Sequence, residues 1–126
     1  MKFHPQKVIV LRRKVPIKEL PKSLQDFISK YPIIWESYTK LGEACSKAGP
    51  LEDKYVELIK LAIWGTRIQY TPFKTHVRLA LRSGATPEEI KHAIIQLLTA
   101  EGLSTTTIAM NWANEVIEDD YKKKRR

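Results

Sequence analysis

Apolar residues recur every three or four positions through most of this chain, and proline or glycine marks each break. That pattern predicts one helix after another. Residues 1–21 stand apart: Pro5, Pro16 and Pro21 interrupt them and only Val8 to Leu11 reads as extended, so they predict an irregular arm. A first helix is expected from about Lys22 to Lys30, ended by Tyr31-Pro32 because the residue before proline avoids helical angles. A second runs from about Pro32 to Lys47 and stops at Ala48-Gly49-Pro50. The third, about Glu52 to Ile68, is apolar in nearly every direction (Tyr55, Val56, Leu58, Ile59, Leu61, Ala62, Ile63, Trp64), which suits a helix that is central or shared between subunits. The fourth follows Tyr70-Thr71-Pro72 and ends at Ser83, with Gly84 as its cap.

Thr86-Pro87-Glu88-Glu89 has the spacing of a capping box and starts a fifth helix that stops near Gly102. Ser104 is placed to cap a sixth, with Ile108, Trp112 and Val116 recurring every four residues. No alternating stretch is long enough for a sheet. The expected fold is an all-α, single-domain six-helix bundle. It divides into an irregular basic arm (1–21), a helical domain (22–120) and a basic tail (121–126).

Composition narrows the function classes. At 126 residues, 43% hydrophobic and 29% charged, the chain is an ordinary globular length for one domain. Its longest apolar runs are Val8–Leu11 and Leu61–Trp64, far short of a membrane span or a signal peptide, so a cytoplasmic protein without a membrane partner is expected. Cys45 is the only cysteine, which excludes an internal disulfide and a four-cysteine zinc site. The net charge of +8 is carried by the ends: residues 1–20 and 121–126 each hold +5, and the middle is −2. Without a zinc finger, an RNP aromatic pattern or a glycine-rich RNA clamp, Lys122-Lys123-Lys124-Arg125-Arg126 reads as a solvated, frayed terminus, and nucleic acid is not an expected partner.

The candidate chemistry lies in polar residues on apolar helix faces. His76 falls at the edge of the stripe formed by Phe73, Val77, Ala80 and Leu81, with Lys74, Arg78 and Arg82 opposite. From position alone it reads first as a core histidine satisfied by a neighbour, and second as a tunable acid–base group. Glu57 lies on the most apolar helix, where an unpaired carboxylate is costly. Its partner is either Lys54 or Lys60 on the same helix, or His76 on the next, in which case a catalytic dyad results. Arg67 is placed either to hold a substrate carboxylate or to face the helix dipole, and Trp64 and Phe73 supply an apolar wall. His92 and His4 have no such setting, and Cys45, beside Gly42 and Ala44, reads as a buried, inert thiol.

The run from His76 through Ser83-Gly84-Ala85-Thr86-Pro87-Glu88-Glu89-Ile90-Lys91 to Ala100-Glu101-Gly102, with the Glu57–Ile63 helix before it, resembles the carboxymuconolactone decarboxylase and alkylhydroperoxidase D superfamily. The peroxidase branch carries two cysteines between its Glu and His. Here Glu57 and His76 keep the outer spacing, but Gln69 and Pro72 stand at the thiol positions, so the resemblance does not imply thiol peroxidase activity. It points to the decarboxylase-like branch. Even so, His92 stands where that branch often has Glu, and Gly102-Leu103-Ser104 where it often has a Gly-x-Pro turn. The resemblance implies a homo-oligomer, a trimer or hexamer. It also implies a cofactor-free, metal-free lyase acting on a small cyclic carboxylic acid, with Glu57 and His76 catalytic and Trp64, Arg67 and Phe73 binding substrate. Two other readings stay open: a redox relative without the cysteine pair, and a non-catalytic oligomeric binding module that uses its basic ends.

Overall fold

The first helices form where the proline breaks place them. The structure, a computed structural model, describes residues 7–10 and 13–125, with side chains from Ile17 onward except Glu19. His4, Leu11 and Arg126 lie outside the described residues. Contacts group the chain into two units, Met1–Pro50 and Leu51–Arg126. Among the described residues six α-helices of nine residues or more and one single-turn α-helix carry the all-α fold.

In the first unit, β1 (Lys7–Val10) pairs antiparallel with β2 (Arg13–Pro16), Val8 opposite Val15. The second strand was not foreseen in the arm, because Arg13-Lys14-Val15-Pro16 has no apolar alternation to announce it. Helix α1 (Lys22–Lys30) ends at Tyr31, whose N–H reaches the Phe27 carbonyl at 2.8 Å. Pro32 then opens α2 (Pro32–Lys47), at a position where a missing N–H costs nothing. Ile28 and Trp35 are buried, whereas Cys45 is exposed, which corrects the expectation of a buried thiol. At 100° per residue Cys45 shares the solvent-facing side of α2 with Ile34, Tyr38 and Leu41.

The second unit holds α3 (Asp53–Thr66), α4 (Tyr70–Arg82), α5 (Pro87–Ile95), the single turn α6 (Leu98–Glu101) and α7 (Leu103–Lys124). Helix α3 lies along α4 and also meets α5 and α7. Their shared core is Leu61, Phe73, Val77, Ala80, Ile90, Ile94, Leu97, Ala109, Ala113 and Val116 with Ala85. Gly65 lets α3 come close: a Cβ there would stand 3.0 Å from Leu97 Cδ2 and 3.3 Å from Phe73 Cε1. Thr86 and Glu89 form the full capping box, with Glu89 N–H on Thr86 Oγ1 (3.1 Å) and Thr86 N–H on Glu89 Oε1 (2.9 Å).

Several features of the later helices differ from expectation. The fifth helix stops at Ile95, because Gln96 and Leu97 bond three residues back, and Leu98 is turned out to solvent. Ser104 does not cap the last helix: the preceding residue at its start is Gly102, whose carbonyl accepts the Thr106 hydroxyl at 2.8 Å. The buried stripe of α7 is Thr106, Ala109, Ala113 and Val116 rather than Ile108, Trp112 and Val116. The two small alanines allow close helix approach, and the bulky Trp112 sits at the edge against Phe73 and Tyr70. The residues set apart as a tail continue α7 as far as Lys124. There Lys123 and Lys124 pair with Asp119 and Asp120 one turn back.

The ends of α3 and α4 share one geometry with different residues. After α4, the Gly84 N–H bonds Leu81 O and the Ala85 N–H bonds Ala80 O, and Gly84 takes φ +97°, which glycine adopts without a Cβ clash. After α3, Ile68 bonds Gly65 O and Gln69 bonds Trp64 O in the same way, and Ile68 takes φ +52°. A β-branched residue in that region is strained by roughly 1–2 kcal/mol. Ile68→Gly should therefore raise stability by about 0.5–1 kcal/mol, after the entropy that glycine adds to the unfolded chain. A melting midpoint that stays level or falls would contradict the strained turn.

Candidate active site

Helices α3 and α4 bring Glu57 and His76 together. His76 Nδ1 stands 2.9 Å from Glu57 Oε2. Glu57 is 4% exposed and is the one charged residue that is buried among the described residues, while His76 keeps a narrow opening to solvent. The periodicity explains the meeting. Glu57 lines up with Leu61 and Gly65 on the buried side of α3. His76 lies between Phe73 and Ala80 on one side and Leu79 on the other, in the middle of the buried face of α4 rather than at its edge.

A buried carboxylate is stable only with a donor. The ring Nδ1–H serves as that donor, which leaves Nε2 as the group that can accept or release a proton. Lys54, one of the two rival partners for Glu57, goes elsewhere: it bridges to Glu89 at 3.1 Å.

The other expected site residues separate into two groups. Trp64 is half-buried against the core, and the exposed Arg67 guanidinium lies over its ring at 5.5 Å. Arg67 is also the C-cap residue of α3, a position where a cation is favoured by the helix dipole. Phe73 is a correction. It is 0% exposed, packed against Gly65 and Trp112, and belongs to the core rather than to an apolar wall open to a substrate. A cavity of about 560 Å³ opens elsewhere in this unit, between the end of α4, α5 and α7. Leu81, Pro87, Lys91, Asn114 and Tyr121 are among its lining residues, and none of the five expected site residues is.

One polar cluster was missed from the sequence. Lys74, read as a surface cation opposite His76, donates to Tyr70 Oη (2.8 Å) and to Glu115 Oε2 (2.9 Å), tying α4 to α7. Tyr70 meets the Trp112 ring edge-on at 4.9 Å, which holds the phenol in place. Helical spacing turns Lys74 toward α7, but Glu115 is 41 residues away and no local pattern names it. Burial pulls the Lys74 ammonium down, and the bonds to Tyr70 and Glu115 outweigh it, so it sits above the ordinary lysine value. The Lys74 bond holds Glu115 below the usual carboxylate range. Glu89 is lowered by the Thr86 N–H and then by Lys54, and Lys54 is raised by Glu89.

The pH consequence follows from those directions. The lowered carboxylates contribute stability above pH 4.5, and it is lost as pH falls through their depressed values. The raised lysines contribute below pH 10.5, and their share is lost as pH rises through their elevated values. Glu115→Gln should flatten part of the acid limb of a melting-temperature profile. An acid limb identical to that of the parent would show that the Lys74 bond adds no stability.

Among the described residues no group of three or more His, Cys, Asp or Glu is placed to hold a metal ion. Nor is any described helix long and apolar enough to cross a membrane.

The sequence model of the Carboxymuconolactone decarboxylase family matches residues 34–115. The fold is similar to a crystal structure from Burkholderia xenovorans LB400 that carries the name carboxymuconolactone decarboxylase provisionally. The match has a TM-score of 0.67 and covers 85% of this chain and 86% of that one. At 22% identity that likeness shows the fold alone. No curated protein matches the chain.

Proposed function

Because the chain belongs to the carboxymuconolactone decarboxylase family, we propose that it is a lyase that decarboxylates a small cyclic carboxylic acid of the lactone type, with His76 and Glu57 as its acid–base pair. The observation that carries this reading is the 2.9 Å contact between a nearly buried carboxylate and an imidazole that retains an opening to solvent. In the reaction the bond between ring carbon and carboxylate breaks and CO2 leaves. The electron pair passes into the ring toward the lactone carbonyl oxygen, and a proton is then delivered to carbon. His76 Nε2 supplies that proton and regains one from water, while the Glu57 carboxylate at Nδ1 fixes the ring orientation and balances the imidazolium charge. Arg67, stacked on Trp64, binds the substrate carboxylate from the solvent side. The chemistry needs no cofactor, since the lactone carbonyl itself accepts the electron pair.

The same proposal includes assembly into a homo-oligomer, a trimer or hexamer. It is supported by the exposed line of Tyr55, Ile59 and Ile63 on the far side of α3 from Glu57. Titration of an unsaturated five-membered lactone acid, followed by NMR of the imidazole Cε1–H signals, tests the site. The His76 signal should shift with saturation while that of the exposed His92 stays still. A His76 signal unmoved at millimolar ligand would contradict the proposal.

A further inference from the structure

Helix α2 carries an apolar seam that its own unit does not cover. Ile34, Tyr38 and Leu41 are 55%, 60% and 61% exposed, and Cys45 follows on the same side. Their separations are four, three and four residues, the spacing that keeps a seam facing a partner helix along its whole length. The positions beside the seam, Trp35, Ser37, Gly42 and Ala44, carry no charge. The charged residues of the helix lie on its other side, where Glu36 pairs with Lys40 and Glu43 with Lys47. Trp35 packs against the Tyr38 ring at 5.6 Å and steadies it on the seam.

We propose that this face of α2 docks against the α2 of a second copy of the chain. The seam suits its own copy for three reasons. An identical surface carries no charge at its edges to repel itself, and none that calls for an oppositely charged stranger. Small residues at Ser37 and Ala44 leave room for a second backbone. The area is also sufficient. The three large side chains expose about 400 Å² per chain, and with Tyr31 at the N-terminal end two copies would bury about 1,000 Å², the size a specific interface must reach. The proposal rests on the assembly reading above and deepens it by naming a contact surface distinct from the α3 line.

Sedimentation velocity at micromolar concentration, on the parent chain, Leu41→Glu, Tyr38→Glu and Ile59→Glu, tests it. The two α2 variants should form a smaller species and weaken association by about 100-fold, with helix content by circular dichroism unchanged. Cys45, shielded in the assembled parent, should become alkylated at least several-fold faster in them. A monomeric parent would overturn both the assembly and this surface. A parent oligomer left intact by both α2 variants, whether or not Ile59→Glu breaks it, would overturn this surface alone. A loss of helix in the α2 variants would place the seam inside the fold and overturn it as well.

Discussion

Phe73→Ala should lower stability by about 3–5 kcal/mol and come close to unfolding the helical unit. The ring is fully buried at the point where three packing relations meet: Gly65 of α3, Trp112 of α7 and the buried face of α4. Gly65 has no side chain to move into the vacated space, and Trp112 is already held edge-on by Tyr70, so little can relax around the cavity. Urea denaturation measures the loss. A change below about 1 kcal/mol would mean that the ring is not packed as described and that Phe73 returns to the list of side chains a substrate can touch.

The dyad should respond in a way that distinguishes a buried, hydrogen-bonded carboxylate–imidazole pair from ordinary packing. His76→Ala leaves the Glu57 carboxylate nearly buried without its donor, and breaking such a pair costs about 3–5 kcal/mol. Replacing both residues, His76→Leu with Glu57→Leu, removes the stranded charge and should recover most of that loss. Denaturation of the single variants His76→Leu and Glu57→Leu and of the double variant closes the cycle. Additive losses would show that the residues do not interact, and a double variant less stable than either single one would contradict the paired burial of the two groups.

Much of this arrangement was legible in the chain. The capping box at Thr86 and the glycine cap at Gly84 are local, so four consecutive residues or one φ-permissive residue announce them. The partnership of Glu57 and His76 was one of two open choices. Both alternatives satisfied a buried carboxylate, and only the packing of α3 on α4, with Lys54 drawn away to Glu89, decides between them. The Ile68 turn was hidden because its sequence lacks the glycine that normally marks such a cap, so the third helix was drawn two residues too long. The inward face of α7 is hidden in the sequence for a related reason. A hydrophobic pattern weights Ile108 and Trp112 above alanine, whereas close helix packing favours Ala109 and Ala113. Phe73 was read as a wall because sequence spacing gives the side of a helix and not the depth at which a side chain ends. The strand at Arg13–Pro16 and the Lys74–Glu115 bond depend on partners that no local pattern specifies.

The claim that Glu57 and His76 form a working acid–base pair is tested most directly by CO2 release from an unsaturated lactone acid in heavy water, with deuterium incorporation at carbon read by NMR. The parent chain should release CO2 and place one deuterium in the ring, while His76→Gln and Glu57→Gln, folded by circular dichroism, should each be slower by about 100-fold or more. Equal rates in the parent and in both folded variants, or no release from the parent across lactone acids whose carboxyl group can pass its electrons to the carbonyl, would contradict it.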